Sequence, residues 1–383
     1  MTTSRRVILA GGGHAHLAVL ADWARKPLPD AECWLVTTAQ HTAYSGMLPG
    51  WMVGYYRAHE LLIDLKPLAE KAGAKLVLAD VVGLNAAART ITLSTGEQVR
   101  YDLLSLATGG ETDISCLAAL GGRLLAAKPV DAFMEHWSAL LDRASLLTPM
   151  QVAIVGGGAA GVELALAASA ALGRLYGHSQ VTLVTPSEQF LEGHPAGVRR
   201  RALAELERRG VVLHLAQAAG EEAGLLLSNG TFIPCDGVIA ATGSRAPQWL
   251  ARSGLELSND GFVAVGGDLR SPSHSAIFAA GDIIARTDRP VARSGVHAVK
   301  AGPILASNLR AALGGGALKQ YIPRSRTLYL LATGDQRAIL SWGPFSATGR
   351  FVWRLKDWID RHFVASYTER ANDGQQETGI GYA

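Results

Sequence analysis

At 383 residues, with 48% hydrophobic and 18% charged positions, the chain is long enough for two or three cored domains and is excluded from the disordered class. A net charge of +3 is too mild to imply a nucleic-acid partner. The 43 glycines follow no G-x-y period, so they belong to turns and close backbone approaches. Cys33, Cys116 and Cys235 lie far apart, which excludes a disulfide framework, a zinc knuckle and an adjacent redox pair, and fits reduced thiols in the cytoplasm. No metal site is expected. No apolar run reaches the roughly 18 residues of a membrane span.

Ser4-Arg5-Arg6 before Val7-Ile8-Leu9 has the look of a twin-arginine signal, but three glycines and two histidines break the apolar part, and a nucleotide-binding turn fits better. The run from Arg6 to Ala10 predicts a strand, Gly11-Gly12-Gly13 a turn, His14 to Arg25 a helix with Leu17, Leu20 and Trp23 inward, and Cys33 to Val36 a second strand. That is a βαβ unit with a parallel sheet. Residues 90–93 and 98–101 flank Thr95-Gly96 as a hairpin, and residues 103–106 form a strand ending at Ala107-Thr108-Gly109.

The same order recurs 145 residues later: a strand at 152–155, Gly156-Gly157-Gly158-Ala159-Ala160-Gly161, a helix to about Leu175, and a strand at 181–184. A hairpin around Asn229-Gly230 and a strand ending at Ala241-Thr242-Gly243 complete it. This internal duplication is the most informative feature of the sequence. Beyond residue 320 the pattern changes to an antiparallel pair, 328–331 with 338–341, then an amphipathic helix from Phe351 to Phe363 and a polar tail from about Asn372.

A G-x-G-x-x-G turn between strand and helix lets backbone N–H groups reach a pyrophosphate. The second turn, Gly156-x-Gly158-x-x-Gly161, is complete. The first has His16 in place of the third glycine, which leaves looser packing or a histidine facing the cofactor as alternatives.

The ordered motifs, with Gly-Val-Glu163 after the second turn and Ile277-Phe278-Ala279-Ala280-Gly281-Asp282, resemble the pyridine nucleotide–disulfide oxidoreductase superfamily over residues 5 to about 315. Within it the chain is similar to type II NADH dehydrogenases and sulfide:quinone reductases. His14-Ala15-His16, residues 44–50 and residues 353–360 resemble one uncharacterised subfamily, sometimes fused to selenide, water dikinase; no such domain follows within these residues.

The resemblance implies an α/β fold of two Rossmann-like dinucleotide-binding domains, the second inserted in the first, plus a small α+β C-terminal region. Residues 1–120 and 263–318 would bind FAD, 148–262 NAD(P), and 319–383 would form the C-terminal strands and helix. It implies FAD on Gly11, Gly13, His14 and Ala15, with the Val81 backbone at the adenine, Ala107, Thr108 and Gly109 at the inner edge, and Gly281 and Asp282 at the ribityl chain. The helix starting at Gly295-Val296 would offer its dipole to reduced flavin. Thr37 stands where a ribose-binding acid is usual, and Thr185 at the matching place of the second unit, whose nucleotide would meet Gly156, Gly158, Gly161, Thr242 and Gly243. Arg199-Arg200-Arg201 reads as an exposed helix face, with a phosphate clamp as the alternative. The quinone motif Ala-Gln-x-x-His-Gln is replaced by residues 295–300, which places His297 and Lys300 near the flavin's pyrimidine edge and puts quinone reduction in doubt; loop 41–50 should approach the ring.

The implied activity is hydride transfer from NAD(P)H to FAD, with Glu163 orienting the site or relaying a proton, and onward transfer to a quinone or small molecule. Two alternatives are a sulfide- or selenide-oxidising flavoprotein, for which Cys116 is the candidate thiol, and a non-catalytic redox sensor. The partners implied are the nicotinamide nucleotide, an electron acceptor and a second copy as a homodimer. The aromatic stripe of Phe351, Leu355, Trp358, Ile359, His362 and Phe363 is expected to pack on the flavin domain, with weak peripheral membrane contact at most. The expected location is the cytoplasm or the cytoplasmic membrane face.

Overall fold

The computed structural model describes residues 4–144, 149–175 and 179–372. In chain order, the two large sheets are built from β1 (Arg5–Ala10), β2 (Ala31–Thr37), β3 (Ala74–Leu78), β4 (Leu103–Leu106), β5 (Leu124–Ala126), β6 (Gln151–Val155), β7 (Gln180–Thr185), β8 (Val212–Leu215), β9 (Gly237–Ala240) and β10 (Ile277–Ala279). The first sheet runs β10-β4-β1-β2-β3 and the second β5-β9-β6-β7-β8, with every pairing parallel. The two orders correspond, so the duplication read from the motifs is a duplication of architecture.

Both sheets are buried on both faces, as parallel sheets with crossover helices must be. Along β1, Val7 and Leu9 enter one core and Ile8 and Ala10 the other, following the period of two. Helix α1 (His14–Arg25) has the predicted bounds, and Leu17, Leu20 and Trp23 are fully buried. Helix α2 (Ala159–Leu175) repeats it after β6, and α3 (Ala196–Arg208) follows β7. Helix α4 (Gly295–Gly314) crosses α1 closely: a Cβ on Gly302 would sit 2.7 Å from the Ala18 Cβ. That crossing fixes the start of α4 beside the first glycine turn.

Each predicted hairpin has a third strand that the sequence pattern hides. Residues 81–85 join 90–93 and 98–100, with a register shift between Val81 and Gly83 that spoils the alternation. Residues 218–221 join the 224–227 and 232–234 pair. The C-terminal sheet comprises β11 (Leu328–Ala332), β12 (Ala338–Trp342) and β13 (Phe345–Gly349).

Helix α5 (Arg350–Asn372) extends well past Phe363, and the polar tail beyond it lies outside the described residues. Its inward face is Val352, Lys356, Asp360, Val364 and Tyr367. Phe351 is 65% exposed and Trp358 63%, so the expectation that the aromatic stripe packs on the flavin domain is corrected, with only Phe363 turning inward. The stripe sits about one helical residue off the buried one, because Lys356 and Asp360 satisfy each other and replace apolar residues on the packed face. Among the described residues no helix is long and apolar enough to cross a membrane.

Candidate functional site

The first sheet reverses direction of winding between β1 and β4, and ligands of doubly wound sheets bind outside the carboxyl ends at that point. A cavity of about 1610 Å³ opens there. It exceeds the roughly 300–1,000 Å³ of ordinary small-ligand pockets, as a dinucleotide requires. Its walls include Gly11, Gly13, His14, Ala15, Thr37, Val81, Ala107, Thr108, Gly109, Gly281, Asp282 and Gly295, all named from sequence.

The glycines of the first turn are obligatory. Gly11 has φ +98°, and a Cβ there would lie 2.5 Å from the Ala107 carbonyl oxygen. A Cβ on Gly13 would meet the same oxygen at 2.4 Å. The turn therefore rests its backbone directly on the end of β4. Three polar atoms of the cavity residues are buried without a partner: Thr108 Oγ1, Asp282 Oδ1 and His14 Nε2. Such atoms are costly unless a ligand satisfies them, and hydroxyl-rich FAD is a suitable occupant. Thr37 and Thr38 also face the cavity.

His16 does not line the cavity; of the two alternatives the sequence leaves, the structure takes the accommodated one, with the ring fully buried behind the turn. Loop 41–50 contributes His41, Thr42, Ala43 and Ser45 to the wall. Lys128 was missed. It precedes Pro129, lines the cavity and pairs with Asp282, and no motif marks it. Arg245 and Trp249 were missed likewise.

Val296, His297 and Lys300, expected near the flavin, do not line the large cavity. Gly295 and Ala298 do, and at 100° per residue the intervening positions of α4 point elsewhere. His297 Nδ1 instead lies 2.9 Å from the Tyr321 hydroxyl. Burial, then Lys300, holds the His297 imidazole below its ordinary pKa.

The second turn is stacked on β9 in the same way. Gly156 has φ +123°, and a Cβ there would lie 2.2 Å from the Ala241 carbonyl oxygen. Gly158 has open space, and a Cβ on Gly161 would collide with the Gly156 carbonyl oxygen at 1.8 Å. Thr185 is buried and its hydroxyl donates to the Pro186 carbonyl at 3.2 Å. Thr242 donates its hydroxyl to the Asp113 carbonyl, and Gly243 follows it with open space. Arg199, Arg200 and Arg201 are exposed on α3, and Arg201 donates to Ser346 Oγ at 3.2 Å, as an exposed helix face would.

Glu163 does not line the large cavity. It is half-buried where α2 meets the C-terminal sheet, and its Oε1 accepts the Ala332 N–H at 2.7 Å. Burial pushes its carboxyl up to about 7, while Lys356 and the Ala332 N–H pull it down. Lys356 Nζ donates to Asp360 Oδ2 and to the Gly46 carbonyl, each at 2.8 Å. Burial, then the nearby Asp360 carboxylate, raises the Tyr44 phenol far above its ordinary value. The Tyr44 ring stands edge-on to His14 at 5.5 Å and against Phe363 at 4.5 Å. Burial lowers the pKa of this cavity-wall imidazole, against the opposing pull of the Ala43 backbone and the Asp282 carboxylate. Glu163, the Lys356–Asp360 pair and Tyr44 thus cluster where α2 meets α5, and the Tyr44 ring packs against His14 at the cavity wall. The C-terminal members were not readable as site residues, since Lys356 and Asp360 look like a solvated helix pair. Cys116 is exposed, Cys33 and Cys235 are buried, and none of the three lines the cavity.

The chain is 26% identical over 364 residues to ferroptosis suppressor protein 1 of Xenopus tropicalis, covering 91% of this chain and 89% of that one. It is 28% identical over 302 residues to a probable ferredoxin reductase, CtmF, of Castellaniella defragrans, covering 75% and 69%. The fold superposes on the sulfide:quinone oxidoreductase of Aquifex aeolicus with a TM-score of 0.80 at 16% identity, over 98% of this chain and 94% of that one. Residues 5–302 match the pyridine nucleotide-disulphide oxidoreductase family, so the chain belongs to that family, whose members are FAD-dependent NAD(P)H oxidoreductases.

Proposed function

We propose that this oxidoreductase takes a hydride from NAD(P)H bound at the Gly156 turn and passes electrons to a quinone-type acceptor that takes up two electrons and two protons. The observation that carries the reading is the cluster of Glu163, Lys356, Asp360 and Tyr44 packed behind the cavity wall at His14. FAD, when bound, supplies the two-electron hydride chemistry. Gly11 and Gly13 would hold its pyrophosphate, Thr37 its ribose, and Thr108 and Asp282 its hydroxyls, each through an atom the fold already turns to the cavity. The start of α4 at Gly295 would favour negative charge beside it. Glu163, its carboxyl raised to about 7, would hold or give up a proton; Lys356 and Asp360 would balance its charge, and the Tyr44 hydroxyl would pass protons toward the cavity wall at His14. A sulfide-oxidising role has no support in the cavity, which no cysteine lines.

A one-electron acceptor such as ferricyanide needs no proton, whereas a short-chain quinone does. Tyr44→Phe and Asp360→Asn should slow NAD(P)H:quinone turnover by about tenfold or more and leave ferricyanide reduction nearly unchanged. Equal loss with both acceptors would make the cluster a packing feature.

A second reading concerns where the acceptor is met. Phe351, Leu355 and Trp358 are exposed on α5 beside Arg350, Arg354 and Arg361, with Trp342 and Phe345 exposed on the C-terminal sheet. An aromatic face with basic neighbours suits a membrane interface, and a lipid-soluble acceptor would be reached there.

A further inference from the structure

The two glycine turns occupy matching places in matching sheets yet solve one packing problem differently. In the second turn the third position is Gly161, which has no room for a side chain because the Gly156 carbonyl oxygen would lie 1.8 Å from its Cβ. In the first turn that position is His16, fully buried, with Nδ1 2.6 Å from the equivalent Gly11 carbonyl oxygen. The strand behind differs in step. Ser105, two residues before Ala107, is fully buried in β4, where β9 has Ile239 two residues before Ala241. Ser105 Oγ lies 2.8 Å from His16 Nε2. Each departure would be a buried polar orphan without the other.

The donor pattern is fixed by elimination. A carbonyl oxygen only accepts, so Nδ1 carries the proton and donates to Gly11. The neutral ring then has a lone pair on Nε2, which accepts the Ser105 hydroxyl proton. Burial keeps the ring neutral, pushing its pKa down to about 4 against the opposing pull of the Gly11 carbonyl. The Gly11 peptide is held from its other side as well, since its N–H donates to the Val36 carbonyl at 2.7 Å. The His16 N–H holds the Gly13 carbonyl at 2.8 Å. The Gly11 and Gly13 carbonyls are therefore drawn back into the protein, the orientation that leaves backbone N–H groups for an anion at the start of α1.

We propose that His16 and Ser105 form a positioning latch for the first nucleotide site, replacing the third glycine and fixing the turn in the conformation that receives a pyrophosphate. The proposal rests on assigning FAD to that turn. Neither residue lines the cavity, so both act through Gly11. A turn held only part of the time binds in proportion to its competent fraction, so loosening the latch weakens FAD.

The test is FAD affinity by fluorescence quenching for the full chain and for His16→Gly, His16→Asn, Ser105→Ala and the double His16→Gly/Ser105→Ala, with 31P spectra of the bound pyrophosphate. Stranding one partner should weaken FAD about tenfold in His16→Gly and in Ser105→Ala. The double variant should be no worse than the weaker single, because the two act as one unit. His16→Asn places an amide nitrogen near the Nδ1 position and should restore most of the affinity and the native 31P shifts. The milder Ser105→Ala keeps the test informative if His16→Gly does not fold. Unchanged FAD affinity and 31P shifts with only a lowered Tm, or additive losses in the double, would overturn the latch. Failure of the FAD assignment is read separately, as full FAD binding by Gly11→Ala, and would remove the proposal's basis.

Discussion

Gly11→Ala tests the cofactor assignment with a magnitude set by the backbone. Gly11 sits at φ +98°, where a side chain costs about 1–3 kcal/mol. The added Cβ would also lie 2.5 Å from the Ala107 carbonyl oxygen and 2.6 Å from the Thr108 nitrogen, both main-chain atoms that cannot swing aside. Relief of such overpacking costs roughly another 1–3 kcal/mol. Free protein relieves both by letting the turn lift off β4, but a bound pyrophosphate needs the turn in place, so the cost falls on binding. At about 1.4 kcal/mol per tenfold, FAD affinity should fall at least about 30-fold. The assay is flavin content after gel filtration, with affinity by flavin fluorescence quenching. Gly156→Ala is the matched control, with φ +123° and a Cβ 2.2 Å from the Ala241 carbonyl oxygen. It should keep its FAD and lose reduction by NAD(P)H. Full flavin in Gly11→Ala, or equal flavin loss in both variants, would refute the reasoning.

Glu163→Gln should flatten part of the pH dependence of stability. Burial raises the Glu163 pKa from 4.5 to about 7, so its contribution is complete at low pH and is lost as pH climbs through that interval. Relative to the always-neutral variant, wild type should lose up to roughly 3 kcal/mol across it, read as diverging Tm–pH curves; parallel curves would show that the carboxyl is not held protonated. Vesicles with anionic lipid should retain the protein weakly and in a salt-sensitive way, and Phe351→Ala with Trp358→Ala should abolish retention without loss of FAD. Retention untouched by those substitutions would move any membrane contact away from α5.

The glycine turns and the A-T-G strand ends were legible because backbone approach leaves a compositional trace: only glycine tolerates 2.5 Å to a carbonyl oxygen at Gly11. The orientation of α4 was not. Its residues 295–300 were read by motif alignment, while helical rotation decides that Gly295 and Ala298 face the cavity and His297 and Lys300 do not. The aromatic stripe of α5 was read as the packed face because apolar residues usually are, and the buried Lys356–Asp360 pair inverted that rule. Lys128 had no signal at all, since its position against Asp282 depends on contact across 154 residues of sequence. Tyr44 and Glu163 were each named or bracketed by motifs, but the Lys356–Asp360 pair near both belongs to the C-terminal helix, and only tertiary packing brings them together.

The central claim is that NAD(P)H at the second turn reduces flavin at the first. Anaerobic mixing of the purified holoprotein with NADH and, separately, NADPH, while following the visible flavin band, tests it most directly. The account predicts a yellow protein whose band bleaches with one equivalent of at least one nucleotide and returns when a quinone is added. A band that persists with excess of both nucleotides would contradict it.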